Sequence, residues 1–143
     1  MLLKSAEIYT WKPLGPCRVA LYLASVPAGF PSPADDYIET SLDLNEYLIK
    51  HQAATFFVRA RGSSMIGAGI RDGDLLVVDR AVDPKNGSVV IAAVCGDLTV
   101  KRISRRDGKL LLCPDNECFT PIEVTPEAEF QIWGVVTHAI HRV

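Results

Sequence analysis

No two cysteines in this sequence stand at C-x-x-C spacing, and none of the four (Cys17, Cys95, Cys113, Cys118) has a histidine at metal-ligand distance along the chain. The pattern points away from a zinc site, no metal or cofactor is expected, and the cysteines read as reduced, mostly buried thiols. Histidine is scarce too, with three in 143 residues. Charge of either sign is close to balance, 15 Lys and Arg against 17 Asp and Glu, so nothing draws the whole molecule to nucleic acid or to an anionic membrane. The densest basic stretch, "KRISRRDGK" at 101–109, has no interleaved aromatics and spans a turn signal at Asp107-Gly108. It reads as a solvated hairpin tip, and no sequence-specific DNA binding is expected. Long apolar runs are also missing. The N-terminal "MLLKSAEIYTWKP" predicts neither a signal peptide nor a membrane span, which leaves the cytoplasm as the expected compartment.

What is present is enough apolar material, 48%, for the core of one ordinary domain. Five of nine prolines fall in the first 33 residues, where each removes a backbone donor and fixes φ. Residues 1–41 therefore read as an extended, proline-rich arm, and 42–143 as the body. The body opens with a short helix in "DLNEYLIK", where Asp43 is the N-cap, Glu46 lies three residues on, and Leu44, Tyr47 and Leu48 share a face. From residue 55 the pattern changes to seven short β-prone runs: "TFFVRA", "LLVVD", "SVVIAAV", "LTVKRI", "KLLLC", "PIEV" and "FQIWGVVTHAI". Turn signals at Asp72-Gly73, Asn86-Gly87, Gly96-Asp97, Asp107-Gly108 and "PDNE" (114–117) separate them. The expected fold class is mainly β: a compact body of short, twisted antiparallel strands with an extended N-terminal arm and one short helix.

The chemistry-bearing stretch is "ARGSSMIGAGIRDGDLLVVD" at 60–79, with two serines in a glycine-bounded turn. A serine hydroxyl is a poor nucleophile until a base takes its proton. No histidine lies near it in sequence, and the G-x-S-x-G elbow is absent because Met65 and Ile66 follow Ser64. A lysine serves as base if burial strips its ammonium of water and lowers its pKa from about 10.4. Lys101 interrupts an apolar strand in "DLTVKRI". By period-two alternation it shares a face with Thr99 and Ile103, while Arg102 joins Leu98 and Val100. Alternation does not say which of the two faces inward.

Taken together, G-x-S-M at 62–65, "DGDLLVVD" at 72–79 and "TVK" at 99–101 resemble the self-cleaving serine–lysine peptidase family of LexA and UmuD. The resemblance implies Ser64 as nucleophile and Lys101 as general base. It leaves Ser63 to shape the turn, its backbone N–H joining that of Ser64 as an oxyanion hole. Family members cut themselves between alanine or cysteine and glycine upstream of the serine, which in "SVPAGFPSPADDY" selects Ala28-Gly29. A small residue before the bond suits a tight pocket, glycine after it allows close backbone approach, and the flanking prolines keep the segment extended.

"AGFPSPADDYIETSLDLNEYLI" and "IWGVVTHAI" are similar to the segment after the cut and the closing strand in UmuD-like members. A helix-turn-helix unit does not fit the 28 residues ahead of Gly29, which marks a shortened, non-repressor member. The family's partners are then expected: a RecA filament on single-stranded DNA as activator, a homodimer, and a UmuC-like translesion polymerase joined by the cut form. Two other readings compete. A signal-peptidase-like enzyme shares the serine–lysine pair but needs membrane proximity. A non-catalytic polymerase accessory or interaction module would keep the fold without cleavage, and Lys101→Ala separates it from an enzyme, since a module has no processing to lose.

Overall fold

The computed structural model describes residues 8–10, 14–22, 26–29 and 39–143. Ten strands run through them: β1 (Ile8–Thr10), β2 (Arg18–Tyr22), β3 (Glu39–Asp43), β4 (Thr55–Arg59), β5 (Leu75–Asp79), β6 (Val89–Val94), β7 (Asp97–Arg106), β8 (Lys109–Cys113), β9 (Ile122–Val124) and β10 (Phe130–Ile140). Helix α1 (Leu44–Leu48) follows β3. All seven β-prone runs of the body are strands. The chain divides into two compact units, one of β1 with His51–Val143, the other within Lys12–Lys50.

In the larger unit, eight strands form an antiparallel sheet in the order β1-β4-β5-β10-β6-β7-β8-β9. β10 lies between β5 and β6, and its pairing slips between Ile132 and Gly134 against β6, and between Val136 and His138 against β5. Such bulges bend a strand and add local twist. The two apolar clusters lie on opposite faces of the sheet, since alternate residues of β6 fall in different ones, Val90 and Ala92 in one and Ile91 in the other. One gathers Phe56, Val58, Met65, Leu76, Val78, Ile91 and Val100; the other Val90, Ala92, Ile103, Leu112 and Val135. Gly134 is needed at its place, because a Cβ there would stand 2.8 Å from Val78 Cγ1 and 3.1 Å from the Asp79 carbonyl oxygen. Gly134→Ala is expected to destabilise the protein by about 1–3 kcal/mol through overpacking, readable as a lower midpoint in urea unfolding.

Several local details differ from the sequence reading. The β6–β7 turn is Cys95-Gly96, not Gly96-Asp97: both residues have positive φ (48° and 86°), as a two-residue hairpin loop of this twist requires. Cys17, Cys95 and Cys118 are exposed and Cys113 is half-buried, so the cysteines are free but not mostly buried. In the smaller unit β2 pairs with β3, and Asp43 caps α1 as expected, accepting the Asn45 N–H at 2.9 Å. Its other oxygen accepts the Cys17 N–H at 2.8 Å, the main cause holding this carboxyl below its usual value. Leu44 and Tyr47 are exposed, and the buried apolar anchor is Ile49, just past the helix. Of the stretch read as an arm, residues 1–7, 11–13, 23–25 and 30–38 lie outside the described residues.

Candidate active site

The serine turn is held from both ends. Ahead of it, the Ala60 N–H donates to the Asp74 carbonyl and the Gly73 N–H to the Ala60 carbonyl, each at 2.8 Å. The Gly62 N–H, in a residue at φ 89°, donates to Asp72 Oδ1 at 2.6 Å. The D-G-D of 72–74 is thus a clamp: Asp72 fixes the start of the turn, and the buried Asp74 carboxylate takes the Arg71 N–H at 2.9 Å. After the serines, fully buried Met65 anchors the turn in the core, and its carbonyl accepts the N–H groups of Ala68 and Ile70. One 3₁₀ turn, Ile66–Ala68, carries the chain away from the site.

Lys101 comes from β7. Register places it opposite Val90 on β6, on the face that also carries Thr99 and Ile103, and this is an inward face. Arg102, on the alternate face, extends to the Asp115 carboxylate and to the Gly87 carbonyl. The two adjacent basic residues therefore have opposite fates: Lys101 is 4% exposed, while Arg102 is ion-paired near the surface.

Lys101 Nζ lies 3.3 Å from Ser64 Oγ, 2.9 Å from Thr99 Oγ1 and 3.0 Å from the Val100 carbonyl oxygen. Ser64 is 1% exposed. Burial pushes the Lys101 ammonium below its ordinary value. The three acceptors serve the three N–H groups of an ammonium, and the same geometry serves the neutral amine once the proton is lost. In the neutral form Thr99 Oγ1 and the Val100 carbonyl accept the two remaining N–H groups, and the lone pair is left for the Ser64 hydroxyl proton. This arrangement can activate a serine without histidine. The histidines pair with other groups: His51 with Asp79 at 2.6 Å, His141 with Asp74 at 3.4 Å, and His138 with Thr137 at 3.0 Å.

Along β7 only residues 102–106 pair with β8, so among the described residues the strand that delivers Lys101 has β6 as its one ladder partner over 97–101. Beside this edge a cleft of about 400 Å³ opens, walled by Thr99, Asp97 and Val94 on one side and by Phe119, Thr120 and Ile122 on the other. Ala28 and Gly29 are exposed in a bend of the smaller unit, and an added Cβ at Gly29 would meet nothing within 4 Å. Two contributors were missed in the sequence. Thr99 shares the lysine's face by alternation, but nothing in the sequence gives it a role. Asn116, whose side-chain amide donates to the Ser63 carbonyl at 2.9 Å, lies 53 residues from it with no sequence signal.

Residues 20–137 match the family described as Peptidase S24-like. The chain is 52% identical over 121 residues to protein ImpA of Salmonella typhimurium, spanning 80% of this chain and 78% of that protein. It is 50% identical over 122 residues to protein SamA of Salmonella typhimurium strain LT2, spanning 85% and 84%. With the LexA repressor of Bordetella avium it shares 38% identity over 121 residues, 81% of this chain and 56% of the repressor.

Proposed function

The chain belongs to the Peptidase S24-like family, as a UmuD-type member of the LexA/UmuD group, and from that premise we propose that it cuts its own Ala28-Gly29 bond by a serine–lysine mechanism. The carrying observation is the buried contact between Lys101 Nζ and Ser64 Oγ at 3.3 Å. Cleavage requires the bond after Ala28 to leave its bend and reach Ser64 in an extended form, and the apolar walls beside β7, Val94, Phe119 and Ile122, suit residues such as Val26 and Pro27. Neutral Lys101 accepts the Ser64 proton as Oγ attacks the Ala28 carbonyl, and the oxyanion is held by the backbone N–H groups of Ser63 and Ser64. The lysine then gives its proton to the Gly29 nitrogen as the C–N bond breaks, and water hydrolyses the Ala28 ester, freeing Ser64.

The rate depends on how often the segment is docked and the lysine neutral. A partner that favours docking is therefore an activator, and the reading assigns that part to a RecA filament on single-stranded DNA. Cleavage is then a DNA-damage (SOS) signal. The cut form, 29–143, acts as a homodimer and as the accessory subunit of a UmuC-like, error-prone translesion polymerase in the cytoplasm.

The test is intact-mass analysis of the purified protein across a pH series up to about 10, near the ordinary lysine value, with and without RecA filaments. Fragments ending at Ala28 and starting at Gly29 are expected, forming faster as pH rises and faster still with the filament. A folded wild type that stays whole under every condition leaves the interaction module as the better reading.

A further inference from the structure

Behind the serine, two loops far apart in sequence are laced together. The Gly67 N–H donates to the Asp115 carbonyl at 2.8 Å, and Asn116 Nδ2 donates to the Ser63 carbonyl at 2.9 Å. The 115–116 loop is itself fixed. The Asp115 carboxylate takes Nε and Nη2 of Arg102, the residue next to Lys101 on β7, and Asn116 Oδ1 accepts the Cys118 N–H at 3.0 Å. A trans peptide is planar, so the Ser63 carbonyl and the Ser64 N–H belong to one rigid unit and point in opposite directions. The Ser63 carbonyl also takes the Ile66 N–H from its own turn, at a longer 3.4 Å, so Asn116 is the shorter of its two holds and the one from outside the turn, and whatever holds the carbonyl aims the N–H.

The geometry points to Asn116 as a positioning residue: its side-chain amide sets the plane of the Ser63-Ser64 peptide and thereby the direction in which the Ser64 N–H meets the oxyanion. Donation into the carbonyl also polarises the peptide and strengthens its N–H as a donor. This rests on the serine–lysine reading above, since an oxyanion arises only if Ser64 attacks a carbonyl.

Two variants of the full chain separate positioning from simple loop support. Asn116→Asp keeps the oxygen that caps the Cys118 N–H and loses the donor; Asn116→Ala loses both. Cleavage is compared on the alkaline plateau, where Lys101 is neutral in every variant. Both are expected to slow cleavage about 10- to 100-fold, less than the roughly 10²- to 10³-fold that removal of an oxyanion donor costs. In amide proton–nitrogen spectra the Ser64 resonance moves in both. Should Asn116→Asp cut at the wild-type rate while Asn116→Ala is slow, the residue only supports its loop and the inference is overturned. A wild type that never cuts overturns the peptidase reading, and the oxyanion role falls with it. The Ser64 resonance still decides the geometric part: movement in Asn116→Asp supports the clamp, and an unmoved signal overturns it.

Discussion

Lys101→Met is expected to abolish self-cleavage, slowing it on the order of 10⁴-fold, the upper range for loss of a general base, while making the folded protein more stable at neutral pH. The two effects share one cause. Lys101 is 4% exposed, and its ammonium is out of water. Methionine fills a similar volume with no charge to desolvate. The variant gives up the contacts to Ser64 Oγ, Thr99 Oγ1 and the Val100 carbonyl, worth about 0.5–1.5 kcal/mol each. Burying an ion costs several kcal/mol even after relaxation, so the relief outweighs the loss.

The pH dependence identifies the group responsible. Burial lowers the lysine's pKa in the folded state, so between the folded value and the unfolded one, about 10.4, the unfolded chain binds more protons. Stability therefore rises with pH through that window, at up to about 1.4 kcal/mol per pH unit. The penalty is fully present below the folded value and vanishes above the unfolded one. Urea unfolding of Ser64→Ala and of Ser64→Ala with Lys101→Met, neither able to cut itself, measures the gap without interference. It should favour the double variant at pH 7 and close as pH approaches about 10. In wild type the cleavage rate should climb over the lower part of the same window, as neutral Lys101 accumulates. A stability gap that ignores pH would mean that the lysine is hydrated in the folded protein, and the general base would have to be sought elsewhere.

The strands of the body could be read from the sequence because each is a short apolar run closed by a turn residue, and local pattern suffices for that. The serine and the lysine were singled out by the resemblance that G-x-S-M and "TVK" carry, and their side chains do meet, Nζ 3.3 Å from Oγ. What alternation left open, the inward direction of Lys101, is associated with a long-range partner: Arg102 finds Asp115 and the Gly87 carbonyl, so one of the two charges has a place outside. The β2–β3 pairing was hidden because "ETSLD" has little apolar alternation and prolines dominate its surroundings. The lacing of residues 63–67 to 115–116 was hidden for a plainer reason. It uses two backbone carbonyls, a backbone N–H and one amide side chain, groups that almost any sequence supplies.

That lacing makes Gly67→Ala the substitution outside the serine–lysine pair with the largest expected effect. Gly67 does not have a positive φ, so alanine meets no dihedral penalty there. The obstacle is space: a Cβ would stand 2.7 Å from the Asp115 carbonyl oxygen and 3.3 Å from Asp115 Cβ, contacts too close to keep. Asp115 is poorly placed to yield, because Arg102 holds its carboxylate and its own carbonyl accepts the Gly67 N–H at 2.8 Å. The turn carrying Ser64 must move instead, and misplacing a reacting group by an ångström costs about 10²-fold. Gly69→Ala is the matched control, with the opposite combination. Its φ of 78° strains any L-residue, yet an added Cβ meets nothing within 4 Å. It should lose about 1–2 kcal/mol of stability to left-handed backbone strain and keep most of its cleavage rate. Measured together by intact mass and urea unfolding, the pair asks whether the site fails through displacement or through general weakening of the turn. Equal losses of cleavage in both would assign the failure to weakening, and the 115–116 loop would no longer be needed to explain where Ser64 sits.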